Sequence, residues 1–316
     1  MRRIILGGTG IETSALGFGA ASLGSRVDEA AGARALAAAL DAGVTWIDLA
    51  PVYGAGRAEE IAGKVLRGRR DQAQICTKVG LKLAGGVGGG LRAAVMPVAR
   101  KIFGRLGPLS GALRKAAPKA NARLPLTPEL IRTSIEESLR RLGTDRIEVY
   151  ALHAVPAEEV GREEIRRALE DVVASGKARS VSTASDAAAA EAALAAGAPY
   201  GVVQLPLPGP GEPDAVLGAA SARGVGLVTH SILGETLARA VARARAEPAL
   251  GRAACAAAGL DDPEAALASL LMARAFARNP EGVTLVSMLS PRSLARNVAA
   301  AEAPPPAGDA LAAFGF

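Results

Sequence analysis

The 316-residue sequence holds only two cysteines, Cys76 and Cys255, and two histidines, His153 and His230. So few ligating side chains exclude a histidine-rich metal centre and a disulfide-stapled scaffold, and they point to reduced thiols in a cytoplasmic setting. Aromatic residues make up 3% of the chain, with a single tryptophan, Trp46. No apolar run reaches the roughly 18–20 residues of a membrane span. The basic start Met1-Arg2-Arg3 leads into neither an extended apolar region nor a small-residue cleavage pattern, so no signal peptide is expected. Acidic residues are missing from one long stretch. Between Leu81 and Pro128 there is no Asp or Glu, while nine Lys and Arg lie there. Those nine exceed the whole net charge of +6, so the remainder of the chain is mildly acidic. The charge comes with no recognition motif and no interleaved aromatics, which argues against nucleic acid as a partner.

Half of the residues are hydrophobic, enough for a large core. They fall into short apolar, β-branched runs that alternate with Ala/Leu-rich helical stretches, the pattern of parallel strands joined by helices. Strands are expected at 15–19, 44–48, 73–77, 146–152, 178–182, 201–205, 226–229 and 283–286. Helices are expected at 28–40, 57–66, 129–141, 163–174, 186–196, 213–222 and 263–278. Thr127-Pro128 opens one of them as a cap followed by proline, and Gly143 closes it. Eight such strands in 316 residues suit an α/β fold of the (β/α)₈ TIM-barrel type, with residues 1–316 as one domain. Residues 2–12 read as a hairpin ahead of the barrel, turning at Gly7-Gly8, and the tail with Pro304-Pro305-Pro306 as an irregular end. Two stretches break the repeat: the long basic insert after the third barrel strand, about 82–123, and the segment 233–260. In a barrel both emerge at the C-terminal face, where function is built.

Polar residues gather at that face. Asp48 ends the second strand and Tyr53 follows five residues on; Lys78 ends the third strand and His153 the fourth. An unperturbed phenol, with a pKa of about 10, is a poor proton source near neutrality. A nearby ammonium stabilises the phenolate and lowers that value, a carboxylate keeps the ammonium charged, and a histidine across the pocket can hydrogen-bond a carbonyl oxygen. Such a set suits an oxygen that gains negative charge during reaction. No serine or cysteine stands with a partnered base, so covalent hydrolysis is poorly supported.

The segments Trp46-Ile47-Asp48-Leu49-Ala50-Pro51-Val52-Tyr53-Gly54 and Gly56-Arg57-Ala58-Glu59-Glu60-Ile61-Ala62-Gly63, with the strand ends Thr77-Lys78 and Leu152-His153, resemble the aldo-keto reductase superfamily. The resemblance spans nearly the whole chain apart from the basic insert. It implies a catalytic tetrad of Asp48, Tyr53, Lys78 and His153. It also implies NADP(H) as cofactor, with Gly19, Ala20 and Ala21 beside the nicotinamide, Asp48 near it, and Gln204 on the carboxamide. The last strand and helix of the family imply Ser290, Arg292 and Arg296 on the 2′-phosphate side and Asn297 at the adenine. Three positions depart from the family pattern. Ala184-Ser185 stands where a Ser-Asn pair is usual, leaving Ser185 to keep one hydrogen bond. His230 replaces a stacking aromatic, and Ser287 a glycine near the pyrophosphate.

The activity so implied is reduction of an aldehyde, ketone or sugar-like carbonyl, or the reverse alcohol oxidation, on a small-molecule substrate. The alternative is a nicotinamide-binding sensor or regulatory barrel with little catalysis; a lyase or dehydratase reusing the same acid/base set is a third reading. For the insert three readings stand: a solvated excursion, a lid that favours an anionic substrate or covers cofactor phosphates, or a surface around 91–103 that lies on anionic lipid.

Overall fold

The computed structural model describes residues 1–83, 121–209, 215–306 and 308–316. Its strands are β1 (Arg3–Ile5), β2 (Glu12–Ser14), β3 (Leu16–Gly19), β4 (Trp46–Asp48), β5 (Gln74–Val79), β6 (Leu81–Leu83), β7 (Asn121–Arg123), β8 (Ile147–His153), β9 (Ala178–Ala184), β10 (Tyr200–Pro206), β11 (Gly226–His230) and β12 (Val283–Val286). Eight of them close a parallel barrel in the order β3-β4-β5-β8-β9-β10-β11-β12 and back to β3. Helices lie between successive strands, as expected. Helices 163–174 and 263–278 and strand β12 have the expected bounds; several other strands run one or two residues further toward their C-terminal ends. His153, Ala184 and His230 are therefore the last residues of their strands.

Alternation along each strand divides the buried apolar residues into two clusters. Trp46, Cys76, Val149, Ala151, Val202, Val228, Val283 and Leu285 pack inside the barrel, while their neighbours Ile47, Ile75, Tyr150, Leu152 and Val203 pack outward against the helices. The indole of Trp46 is accommodated by Gly17 beside it. A Cβ at Gly17 would stand 2.5 Å from Leu285, 2.8 Å from Val283 and 2.9 Å from Trp46. Helix starts follow from their caps: Asp28 accepts from the Ala31 N–H, Thr127 from the Leu130 N–H, and Asp186 from the Ala189 N–H.

The N-terminal hairpin is present, but its second strand extends to Ser14, with Arg3 opposite Ser14 and a short helical turn over Gly7–Thr9. It stoppers the bottom of the barrel. Leu6 and Ile11 are wholly buried in the interior cluster, and the Gly8 N–H donates to the Gly224 carbonyl at 2.6 Å. Two expectations need amending. Residues 233–260, which break the repeat and carry no expected element, form two helices, Gly234–Ala246 and Pro248–Ala258, which pack against helix 263–278. The tail is irregular only in part: beyond the prolines a short helix spans Gly308–Ala312, and Leu311 and Phe314 are buried. Of the basic insert, the two described ends form an antiparallel ladder, β6 with β7, pairing Leu81 with Arg123. The lid and lipid-surface readings of residues 84–120 fall outside the described residues, as does the expected helix start at 213–214. Among the described residues no helix is long and apolar enough to cross a membrane.

Candidate active site

The C-terminal ends of the barrel strands surround a cavity of about 740 Å³. At its floor Asp48 and Lys78 project inward from adjacent strands, both almost fully buried. The Lys78 ammonium donates to Asp48 Oδ1 at 2.6 Å and to the Leu49 carbonyl at 2.7 Å. It also lies 5.1 Å from the centre of the Tyr53 ring. Tyr53 opens the turn Tyr53–Gly56 just after β4, and its ring meets that of His153 edge-on, with centroids 5.9 Å apart. Four residues from three strand ends thus converge, as the sequence reading expects.

Each charge state follows from its surroundings. Burial alone would pull the Lys78 ammonium down, but Asp48, with Tyr53 and Cys76, more than offsets this, and the group is held charged. Burial raises the Tyr53 phenol above its ordinary value of 10.0; Lys78 opposes that shift and Asp48 adds to it. The net direction is thus opposite to the lowering expected from Lys78 alone, because a half-closed site removes more water than a single ammonium replaces. His153 is pushed down to about 3, first by burial and then by Lys78 and His230, so its imidazole is neutral. His230 moves the same way, again mainly through burial.

The backbone at this mouth is strained. Ala55, Ala154 and Ser231 are the non-glycine residues with positive φ among those described, at 58°, 52° and 62°. Each follows Tyr53, His153 or His230 by one or two positions. Such conformations cost of order 1–3 kcal/mol and persist where the surroundings over-determine them.

Of the residues implied for a cofactor, Gly19, Ala21, Asp48, Ser185, Gln204, His230 and Ser287 line the cavity with the tetrad. Gln204 is buried, and its only side-chain partner among the described residues is the Cys76 thiol at 4.0 Å. Asp48 Oδ2 is buried with no hydrogen-bond partner among the described residues. Ser185 Oγ accepts the Val155 N–H at 2.9 Å, which leaves its own proton free to donate. His230 shares a 2.9 Å hydrogen bond with the Ser231 hydroxyl.

The other implied residues are off this wall. Ala20 is wholly buried, and its N–H is spent on the Asp48 carbonyl at 3.0 Å. Ser290 caps helix 291–302, exchanging hydrogen bonds with Ser293. Arg292 is exposed and ion-paired to Asp262 at 2.7 Å. Arg296 donates twice to Asn297 Oδ1 at 3.2 Å, and the buried Asn297 amide donates to the Ser287 carbonyl at 3.4 Å. Asn297 therefore ties this helix to the strand end at Ser287. Sequence reasoning missed Arg123, Asp186, Val155, Ile232 and Leu233 on the cavity wall. Arg123 is hidden in the sequence among the other cations of the insert, and Asp186 reads only as a helix start. The apolar wall residues carry no mark that separates cavity lining from core.

The pattern of the aldo/keto reductase family matches residues 15–307. Over 204 residues the chain is 30% identical to the aldo-keto reductase YhdN of Bacillus subtilis, a match covering 63% of this chain and 51% of that protein. The chain thus spans about half the length of that curated relative. Among solved structures, it is similar to the aldo-keto reductase AKR11C1 from Bacillus halodurans in its holo form, with a TM-score of 0.72, 21% identity, and 97% and 92% of the two chains covered. It is also similar to an aldo-keto reductase from Klebsiella pneumoniae in complex with NADPH, with a TM-score of 0.64, 20% identity, and 99% and 94% covered. At such identities these structures speak for the fold alone. The family match extends over nearly the whole barrel and the strand ends that build the cavity, and the chain belongs to the aldo/keto reductase family.

Proposed function

We propose that the protein is an NADP(H)-dependent oxidoreductase that reduces an aldehyde, ketone or sugar-like carbonyl, or runs the reverse alcohol oxidation, with Tyr53 as general acid and base. The observation that carries this reading is Lys78, held between the Asp48 carboxylate and the Tyr53 ring beneath an open cavity. The cavity also fits a nicotinamide. Gln204 offers an amide with almost no protein partner among the described residues, Gly19 adds no side chain to the cavity wall, and Ser185 has a proton to give. Gly19, Ala21, Ser185, Gln204, His230 and Ser287 would hold that end; Ser290, Arg292 and Arg296 would face the 2′-phosphate, with Ala20 and Asn297 as supports behind them. A bound nicotinamide supplies the hydride.

The chain's own residues supply the rest. His153, neutral and without a hydrogen-bond partner among the described residues, donates to the carbonyl oxygen and fixes its position near Tyr53. The oxygen becomes an alkoxide, far more basic than a phenolate, so even a phenol with a raised pKa gives up its proton downhill. Lys78 then stabilises the phenolate left behind, and Asp48 keeps Lys78 charged. The apolar walls at Val155, Ile232 and Leu233 limit water.

The test is Tyr53→Phe. General acid catalysis contributes about 10²–10⁴-fold, so turnover with a generic aldehyde should fall by that factor. NADPH affinity, read by fluorescence titration, should stay within about twofold. Retained turnover would overturn the mechanism. A wild-type protein that binds NADPH yet shows no single-turnover oxidation would favour the sensor alternative.

A further inference from the structure

One cation on the cavity wall plays no part in that chemistry. Arg123 ends β7, opposite Leu81 of β6, and the Leu124 N–H closes the same stem on the Gly80 carbonyl at 2.8 Å. Only Gly80, at φ +120°, separates β6 from β5. A Cβ there would stand 3.1 Å from the His153 carbonyl, so the turn is pressed against the end of β8. The backbone beneath Arg123 is thus tied to the strand that carries Lys78 and to the one that carries His153. Leu81 is three residues beyond Lys78, about 10 Å of extended chain. Arg123 is a rim residue whose backbone is anchored.

Asp48 and Lys78 neutralise one another, and Asp186 keeps its negative charge at the start of helix 187–196, where it caps the Ala189 N–H and is offset in part by the helix dipole. His153 and His230 are held neutral by burial. The wall also carries the apolar Ala154, Val155, Pro206, Ile232 and Leu233. Arg123 is exposed, lines the cavity, and has no hydrogen-bond or ion-pair partner among the described residues. A planar fork of donors at the cavity mouth, the one cation on the wall without a charge partner among the described residues, matches a carboxylate or phosphate oxygen pair.

We propose that the substrate carries an anionic oxyacid group, a carboxylate or phosphate, in addition to its carbonyl, and that Arg123 selects for it. This rests on the reductase reading above. Arg123 acts on binding and not on the reacting atoms, so its effect belongs in KM.

Two substrate pairs and two variants test it. 4-Carboxybenzaldehyde is compared with the isosteric but neutral 4-nitrobenzaldehyde, and glyceraldehyde 3-phosphate with glyceraldehyde. For Arg123→Gln the ratio of kcat/KM, anionic over neutral, should fall about tenfold in at least one pair, through KM. The pair that responds identifies the anion. Arg123→Lys should restore more of the ratio for the phosphate, which a point charge can hold, than for the carboxylate. The wild-type KM for the responsive anion should rise with ionic strength, and that dependence should vanish in Arg123→Gln. A ratio that moves less than twofold in both pairs overturns the proposal while leaving the reductase reading intact. Failure of the wild-type protein to reduce any of the four overturns both.

Discussion

Lys78 and Asp48 are each almost without solvent, and neither is tolerable alone in that position. Two ions removed from water repay their desolvation only by facing each other, and here the 2.6 Å contact is supported by the Leu49 carbonyl. Lys78→Met should therefore cost more than catalysis. It strands a buried carboxylate, and removal of one partner of such a pair costs about 3–5 kcal/mol; a urea titration reads this directly. The double variant Asp48→Asn with Lys78→Met should regain much of the loss, since no lone charge remains. The titration of Tyr53 gives a second expectation. Its pKa lies above 10.0, so carbonyl reduction, which needs the protonated phenol, should hold level through neutrality and fall only in strong alkali. Alcohol oxidation, which needs the phenolate, should climb across the same range. An inflection near pH 6–7 in either profile would contradict the neutral His153. Chain spacing brings these four residues into view because a barrel places strand ends together. The sign of the Tyr53 shift was not readable, since it depends on how much water the folded mouth excludes, which no motif records.

At the scale of elements, the barrel interior is packed by exchange of volume between neighbouring strands. Trp46 on β4 fills the space that its register partner Gly17 on β3 vacates, and the buried apolar interior positions on the other barrel strands are Val, Leu, Ala or Cys. Gly17→Ala should overpack this layer at a cost of about 1–3 kcal/mol, seen as a lower denaturation midpoint with the fold retained. On the helix side, Thr127 caps helix 128–142 with a 3.1 Å bond to the Leu130 N–H, and Thr127→Ala should cost about 1 kcal/mol. That cap was legible because Thr-Pro ahead of an apolar period has a local physical meaning. The helices 234–246 and 248–258 were not. Their buried positions, Ala240, Ala244, Gly251 and Ala254, are small, and the repeat of one helix per strand is already completed by helix 263–278, which leaves no slot for a further pair. The helical tail escaped notice for another reason: Leu311 and Phe314 are buried through tertiary contact, which follows three prolines that locally argue for irregular chain.

Across the whole molecule, stability and chemistry occupy opposite ends of one barrel. The mouth holds the strained residues Ala55, Ala154 and Ser231, the buried charges and the two neutral imidazoles. The bottom is closed by the hairpin, with Leu6 and Ile11 seated among Trp46, Val202 and Val228. The mouth also makes the fold sensitive to acid. Below about 6.5 the unfolded chain protonates the His153 imidazole, whereas the folded chain resists until about 3. The contribution of His153 to stability is therefore complete above about 6.5 and drains away as the pH falls toward 3, and His153→Gln should flatten that part of the slope in urea titrations at pH 4 to 7. The hairpin end gives the complementary expectation. Leu6 is wholly buried where no ligand reaches, and Leu6→Ala should cost about 2–5 kcal/mol by opening a cavity in the stopper. Its kcat and KM should remain within about twofold of the wild type at temperatures where it is folded, because the strand ends that carry Asp48, Lys78 and His153 lie at the far end of the barrel. Tyr53→Phe should do the reverse, with turnover lost and the denaturation midpoint nearly unmoved. If Leu6→Ala instead depressed kcat as strongly as it depressed stability, the two ends would be coupled through the interior column of side chains, and the tetrad geometry would depend on packing along the full length of the barrel.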